Sequence, residues 1–156
     1  MSMKNSSKID GLFVPLLFEI QDAPAWIATA HGARSLYMAL RRRYNGTTSN
    51  NGKIYLPQRI AQKELGSHGN QITRWFRELQ HYGFIVMTSA GHLGVRGHGR
   101  APCWRLTELP CNGEPPTKDF LAWAGPRFAN RKSETPSSKS GTSRPAKAVQ
   151  GKRVLQ

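Results

Sequence analysis

Between Leu56 and Ile85 apolar residues recur twice at helical spacing, with a glycine between the two sets. In the first set Ile60, Ala61 and Leu65 share one face, and Pro57 suits the first helical turn, where a missing N–H costs nothing. Gly66 stops that helix and Ser67 is placed to cap the next. In the second set Ile72, Phe76 and Leu79 define one buried stripe along Asn70 to Tyr82. At about 100° per residue the opposite face holds Asn70, Thr73, Arg74, Arg77 and His81, with Gln71 toward its edge. That face offers amide, hydroxyl and guanidinium donors and has no carboxylate at its centre.

The period then changes. Gly83 is followed by Phe84-Ile85-Val86-Met87-Thr88, an apolar and β-branched run that reads as a strand. Ser89 to Cys103 interleaves Gly91, Gly94, Gly97 and Gly99 with His92, Arg96, His98 and Arg100, and Trp104-Arg105-Leu106 reads as the returning strand. A hairpin with a long, basic, glycine-rich tip is a wing. Upstream, Lys53 to Leu56 reads as a short strand able to pair with it, which completes a three-stranded sheet, while Asn45 to Gly52 is a flexible loop by composition.

Earlier still, Thr29 is positioned to cap a principal helix over about Ala30 to Tyr44 whose buried stripe is Ala33, Leu36, Tyr37, Leu40 and Tyr44. Asp22 and Pro24 start a brief turn carrying Trp26 and Ile27. Phe13 to Ile20 is too apolar to be left in water and is expected to form a short helix packed on the domain. Beyond the wing, Thr117 to Trp123 reads as a capped turn whose Phe120, Leu121 and Trp123 need a cover. The domain, a second subunit forming a homodimer, or a protein partner would supply it. Trp75 borders the buried stripe, so edge packing is expected there rather than base stacking. Gly69 departs from the stronger helix formers usual in a first turn and leaves open which of Ser67, His68 and Asn70 meets a phosphate.

Charge gives this pattern a partner. The 156 residues carry 23 Lys and Arg against 9 Asp and Glu, with a pI near 10.6, which points to a polyanion and first of all to nucleic acid. From Ala129 to Gln156 large apolar residues nearly vanish, and a disordered basic tail is expected. Seven Lys or Arg against Glu134 give this tail +6 of the total +14, leaving +8 for the first 128 residues. The tail is either a solubilising terminus or a phosphate-binding arm without sequence selectivity. Arg41, Arg42 and Arg43 have two readings as well: cations favoured at a helix C-terminus, or contacts to a DNA backbone. One domain over residues 9–128, between a loose start at 1–8 and the tail, fits the length.

No apolar run of membrane-spanning length occurs, and Met1 to Ile9 lacks the apolar segment of a secretory signal, so a cytoplasmic, nucleoid-associated protein is expected. Cys103 and Cys111 are expected to be free thiols. No phosphate-cradling loop, no HExxH, no GxSxG and no dinucleotide fingerprint is present, so neither catalysis nor a cofactor is expected. His92, His98, Cys103 and Cys111 lack the close pairing that builds a zinc site. RNA ranks behind duplex DNA because neither an RNA-recognition signature nor a stacking platform is visible.

Glu78-Leu79-Gln80-His81-Tyr82-Gly83-Phe84-Ile85, the exit from the second helix into the hairpin, resembles the winged helix-turn-helix proteins of bacteria and their plasmids and phages. More narrowly, the chain is similar to a group of small winged-helix proteins over about residues 9–124. The likeness lies in Ile9-Asp10-Gly11, Ala23-Pro24-Ala25-Trp26, Arg100-Ala101-Pro102 before Trp104-Arg105-Leu106-Thr107, and Pro116-Thr117 before Phe120 and Trp123. The resemblance implies an α+β winged helix-turn-helix fold, a bundle of about three helices with a small three-stranded antiparallel sheet.

Pattern and charge together predict a double-stranded DNA-binding protein. Asn70, Gln71, Thr73, Arg74 and Arg77 would enter the major groove, Ser67 and His68 are candidates for a phosphate contact, and Arg96, His98 and Arg100 would follow the flanking backbone or minor groove. Transcription regulation and replication or recombination of a mobile element are the roles such a unit serves. The alternative is a protein-interaction module that docks a replication or transcription partner.

Overall fold

The computed structural model describes residues 10–46 and 49–129. The loose start at 1–8 and, apart from Ala129, the basic tail lie outside these described residues. Within them the protein is α+β, with five α-helices and one three-stranded antiparallel sheet. The helices are α1 (Phe18–Gln21), α2 (Pro24–Ala28), α3 (His31–Arg41), α4 (Gln58–Leu65) and α5 (Gly69–His81). The strands are β1 (Ile54–Tyr55), β2 (Ile85–Ser89) and β3 (Cys103–Leu106), in the order β1-β3-β2. This succession of helix, strand, two helices and hairpin is compatible with a winged-helix layout.

The helical periods read from sequence place the core. Ala33, Leu36, Tyr37 and Leu40 of α3 and Ile72 and Leu79 of α5 are all fully buried, so α3 and α5 meet along their apolar stripes. Phe84, directly after the Gly83 turn, is the centre of an aromatic cluster. Its ring lies 5.4 Å from Trp26, 5.6 Å from Tyr37 and 5.0 Å from Phe120. Rings at these separations add to the burial of their large apolar surfaces. Trp104 of β3 closes the other side, stacked on Phe76 at 4.8 Å.

Side chains the sequence placed in a flexible loop hold the sheet to the helices. Asn51 is buried and bonds Leu106 in both directions, donating to its carbonyl at 2.9 Å and accepting its N–H at 2.7 Å. Its amide thereby extends the β1–β3 ladder by one side-chain rung. Asn50 donates to the Arg43 carbonyl at 2.9 Å, fixing the exit of α3. The loop is therefore anchored at its end by amide chemistry that composition alone counts only as loop-forming.

Three expectations are corrected and one alternative left open is narrowed. Thr29 does not cap α3; its hydroxyl donates to the Ala25 carbonyl at 2.7 Å and finishes α2 instead. Ile60 is exposed, because the short α4 meets its neighbours through the small, fully buried Ala61. Of the apolar stretch at Phe13 to Ile20 only Ile20 is buried, and Phe13, Leu17 and Phe18 face solvent. A single helical turn can aim one side chain inward, and Ile20 takes that place. Finally, the domain itself covers Phe120, stacked on Phe84, and Trp123, edge-on to Tyr82 at 4.9 Å, but leaves Leu121 exposed.

The arginine run after α3 is largely spoken for. Arg41 meets the buried carboxylate of Glu108 at 2.7 Å, an ion contact rather than an aligned hydrogen bond, and its guanidinium lies over the Tyr44 ring. Arg43 pairs with Glu64 of α4 and donates to the Ala39 carbonyl. Arg42 is the exposed member. Beside Arg41 and Glu108, burial and then the Glu108 charge hold the Tyr37 hydroxyl well above the ordinary tyrosine range.

Candidate nucleic-acid interface

The turn between α4 and α5 is set by Gly66, whose φ of +60° places the chain in the left-handed region that glycine tolerates. The Ser67 N–H returns to the Gln62 carbonyl at 3.2 Å and ends α4. Ser67 itself does not cap α5: His68 stands at the N-cap without a side-chain hydrogen bond to the helix. The exposed first turn of α5 therefore lacks a side-chain cap, the condition in which a helix N-terminus accepts an anion.

Gly69 has a packing reason that its low helix propensity concealed. A Cβ there would lie 2.7 Å from Gln58 Nε2 and 2.8 Å from Gln62 Nε2, so two glutamines of α4 press directly on the first turn of α5. Gln58 donates to the Gly69 carbonyl at 2.7 Å and to the Thr73 hydroxyl at 3.1 Å, and Thr73 donates to the same carbonyl at 3.1 Å. This clasp fixes the rotation of α5 about its own axis relative to α4. The Thr73 hydroxyl is engaged in it while the side chain remains exposed.

Beyond the clasp, Asn70, Gln71, Thr73, Arg74 and Arg77 are all exposed on α5, and Ile72 and Leu79 are buried opposite them. Trp75 is half-buried at the border and packs where Gly32 of α3 makes room. A Cβ at Gly32 would lie 1.9 Å from the Trp75 ring, so the indole occupies the space a side chain would need. The edge packing expected for Trp75 is thus observed. His81 is exposed as expected but engaged: its Nε2 lies 2.7 Å from the Pro126 carbonyl and its ring packs against Tyr82 and Phe128. The segment after Trp123 folds back over the end of α5 and takes that donor.

The only acid in α5, Glu78, is buried. Its Oε1 accepts the backbone N–H of Ala30 at 2.7 Å, just before α3. Because that carboxylate points inward, the solvent face of α5 carries amides, a hydroxyl and cations but no carboxylate. The periodicity of the apolar residues did not reveal this placement, since a glutamate in an amphipathic pattern reads as surface.

The hairpin β2–β3 carries the remaining candidates. Ser89 pairs with Cys103 and Met87 with Trp104, so Thr88 is an extra residue that bends the strand at the base of the wing. Farther out, His92 and Arg100 exchange both backbone hydrogen bonds at 2.9 Å. Between them the tip turns through a short 3-10 segment at Val95–Gly97. His98 and Arg100 are exposed, and Arg96 lies in the tip with its side chain outside the described residues. Cys103 and Cys111 are free, with the Cys111 thiol 3.2 Å from the Asn51 carbonyl. Among the described residues no three of His, Cys, Asp and Glu converge as metal ligands, and no helix is long and apolar enough to cross a membrane.

Gln58 is the residue of the α4–α5 clasp that sequence reading missed; the signal for it was the pair Gln58 and Gln62, four apart, facing a glycine at the start of the next helix. Compared with protein-family models, with curated proteins and with solved structures, the chain matches none.

Proposed function

We propose that this protein binds double-stranded DNA as a winged helix-turn-helix, with α5 in the major groove and the β2–β3 wing along the adjacent backbone. The observation that carries this reading is the inward Glu78, which leaves the exposed side of α5 to Asn70, Gln71, Thr73, Arg74 and Arg77. Arg is suited to guanine, and Asn and Gln to adenine, through bidentate hydrogen bonds in that groove. The bare first turn at His68 and Gly69 and the wing residues Arg96, His98 and Arg100 supply the sequence-independent contacts to phosphate. The net +8 of the first 128 residues favours the same partner. Regulation of transcription, or replication and recombination of a mobile element in the bacterial nucleoid, is the role this arrangement fits.

Selection of bound sequences from a random duplex pool, with the full chain at roughly physiological salt, tests the proposal. Recovery of a defined motif supports readout by α5, and half-sites about one helical turn apart would indicate two copies on one site.

A second reading is favoured by the exposed Phe13, Leu17, Phe18 and Ile27 near α1 and α2. Exposed apolar residues of this kind fit a protein-docking module. Its mark in the same selection is retention of DNA without any enriched sequence.

A further inference from the structure

On the outer face of the sheet, beside the wing, lies an open groove of about 740 Å³, within the range of roughly 300–1,000 Å³ usual for small-ligand sites. Its lining includes Tyr55, Lys53, Arg100, Ser89 and Cys103, and contains no carboxylate. Tyr55 is the aromatic residue in it and is 60% exposed. Its strand partner Ile54 is buried, so β1 holds the tyrosine ring outward by alternation. Tyr55, Cys103 and Ser89 are paired in register across the three strands, which sets the tyrosine beside two small side chains.

Both walls are held before any ligand arrives. On one side Gly52, at φ +91°, accepts from the Thr88 hydroxyl at 2.6 Å, and the preceding Asn51 is bonded to β3. Lys53 stands on this fixed turn. On the other side the backbone pair between His92 and Arg100 sets the position of Arg100. Two cations thus flank an exposed aromatic face in a groove without a counter-charge. A ligand matching this needs a flat aromatic body and an anionic group attached to it.

We propose that the groove binds one nucleotide unit, its base stacked on Tyr55 and its phosphate between Lys53 and Arg100. Base stacking on an aromatic ring is tolerant of sequence, and the two cations are placed for phosphate rather than for a base edge. The nucleotide is either free or the unpaired end of a DNA strand whose duplex lies on α5. The strand-borne source rests on the DNA-binding reading, whereas the free nucleotide does not.

The test follows backbone amide signals of the isotopically labelled full chain during titration with adenosine monophosphate, with ribose 5-phosphate, and with one duplex in blunt and single-strand-overhang forms. Affinity for the two duplexes is measured alongside. Adenosine monophosphate is expected to move the amides of Lys53, Tyr55, Arg100 and Cys103, with ribose 5-phosphate leaving them in place. A strand-borne source appears as tighter binding of the overhang duplex than of the blunt one. Tyr55→Ala should lower nucleotide or overhang binding about 5- to 150-fold, the range for removing one aromatic stacking partner, and leave blunt-duplex affinity unchanged. Tyr55→Phe should retain the effect, and Tyr55→Leu, which keeps apolar bulk on β1, should lose it. Equal shifts from ribose 5-phosphate, or no shift from nucleotide and overhang alike, would overturn the proposal. Nucleotide binding without affinity for either duplex would remove the DNA-binding reading and leave the groove's ligand standing.

Discussion

The carboxylate of Glu78, near the end of α5, accepts the N–H of Ala30 at the start of α3 at a distance of 2.7 Å. Forty-eight positions separate the two in sequence. The contact does two things at once. It satisfies one of the N–H groups that a helix start leaves without an intrahelical partner, at a position where alanine has no side chain to do so. It also removes the one negative charge of α5 from the surface offered to a polyanion. Glu78→Ala is expected to lower unfolding stability by about 1–2 kcal/mol, the cost of a lost cap. Glu78→Gln, which keeps an acceptor oxygen, should lose less; equal losses in denaturant titrations would show that the hydrogen bond to Ala30 contributes nothing.

Gly32 and Trp75 fix the same helix pair by shape. Because a Cβ at Gly32 would fall 1.9 Å from the indole, Gly32→Ala is expected to push α5 away from α3. The expected cost is about 1–3 kcal/mol, as for other overpacked sites, and DNA affinity should fall with it because the exposed face of α5 moves. A Trp75→Leu change on the same chain should restore part of the stability. The check is a double-mutant cycle, and strict additivity would mean the two residues do not share the space.

Arg41, Glu108 and Tyr37 form a buried polar cluster between α3 and the segment after β3. Removing the guanidinium with Arg41→Ala leaves the Glu108 carboxylate without its cation and is expected to cost about 3–5 kcal/mol. The double change Arg41→Met with Glu108→Leu should cost far less than Arg41→Ala. Thermal or denaturant unfolding of both variants decides this, and similar losses in the two would contradict the pairing.

The Tyr37 hydroxyl, raised first by burial and then by Glu108, sets an alkaline limit. In the unfolded chain a tyrosine loses its proton near pH 10, while the folded protein retains it to higher pH. Its contribution is therefore complete below about pH 10 and is lost as pH rises through the folded value. Unfolding stability measured above pH 10 should fall more steeply for the native chain than for Tyr37→Phe. Parallel curves would contradict the shift.

What was legible in the sequence was whatever repeats. The stripes of α3 and α5 follow a period of 3.6, and Ile72, Leu79, Leu36 and Leu40 are buried as that period requires. Gly66 and Gly83 marked helix ends because both positions need positive φ. Contacts made by a polar side chain far along the chain left no such trace. Asn51 sits in a run of turn formers, yet its amide bonds Leu106, 55 positions away. Glu78 looked like a surface residue until its partner, Ala30, was in place, and His81, which is exposed, gave no sign of its bond to the Pro126 carbonyl. The apolar stretch before Ile20 erred in the other direction, since hydropathy measures a preference for burial and not whether a surface is available to meet it.

Salt dependence separates the two kinds of DNA contact. If about five phosphates are neutralised, log K should fall with log salt at a slope near −4 to −5. Removing residues 129–156, with their net +6, should weaken binding to all duplexes alike and flatten that slope. A change in the preferred sequence on removing the tail would assign it a part in readout.

The central claim is that the acid-free face of α5 reads base edges, and Arg74 stands on that face. The most direct measurement is the affinity of the native chain and of Arg74→Ala for the selected duplex and for a shuffled duplex of the same composition. Arg74→Ala should cost about 1–3 kcal/mol on the selected duplex, relax the preference at one base position, and cost markedly less on the shuffled one. Equal loss on both duplexes would contradict readout by this residue and reduce Arg74 to a contact with the backbone.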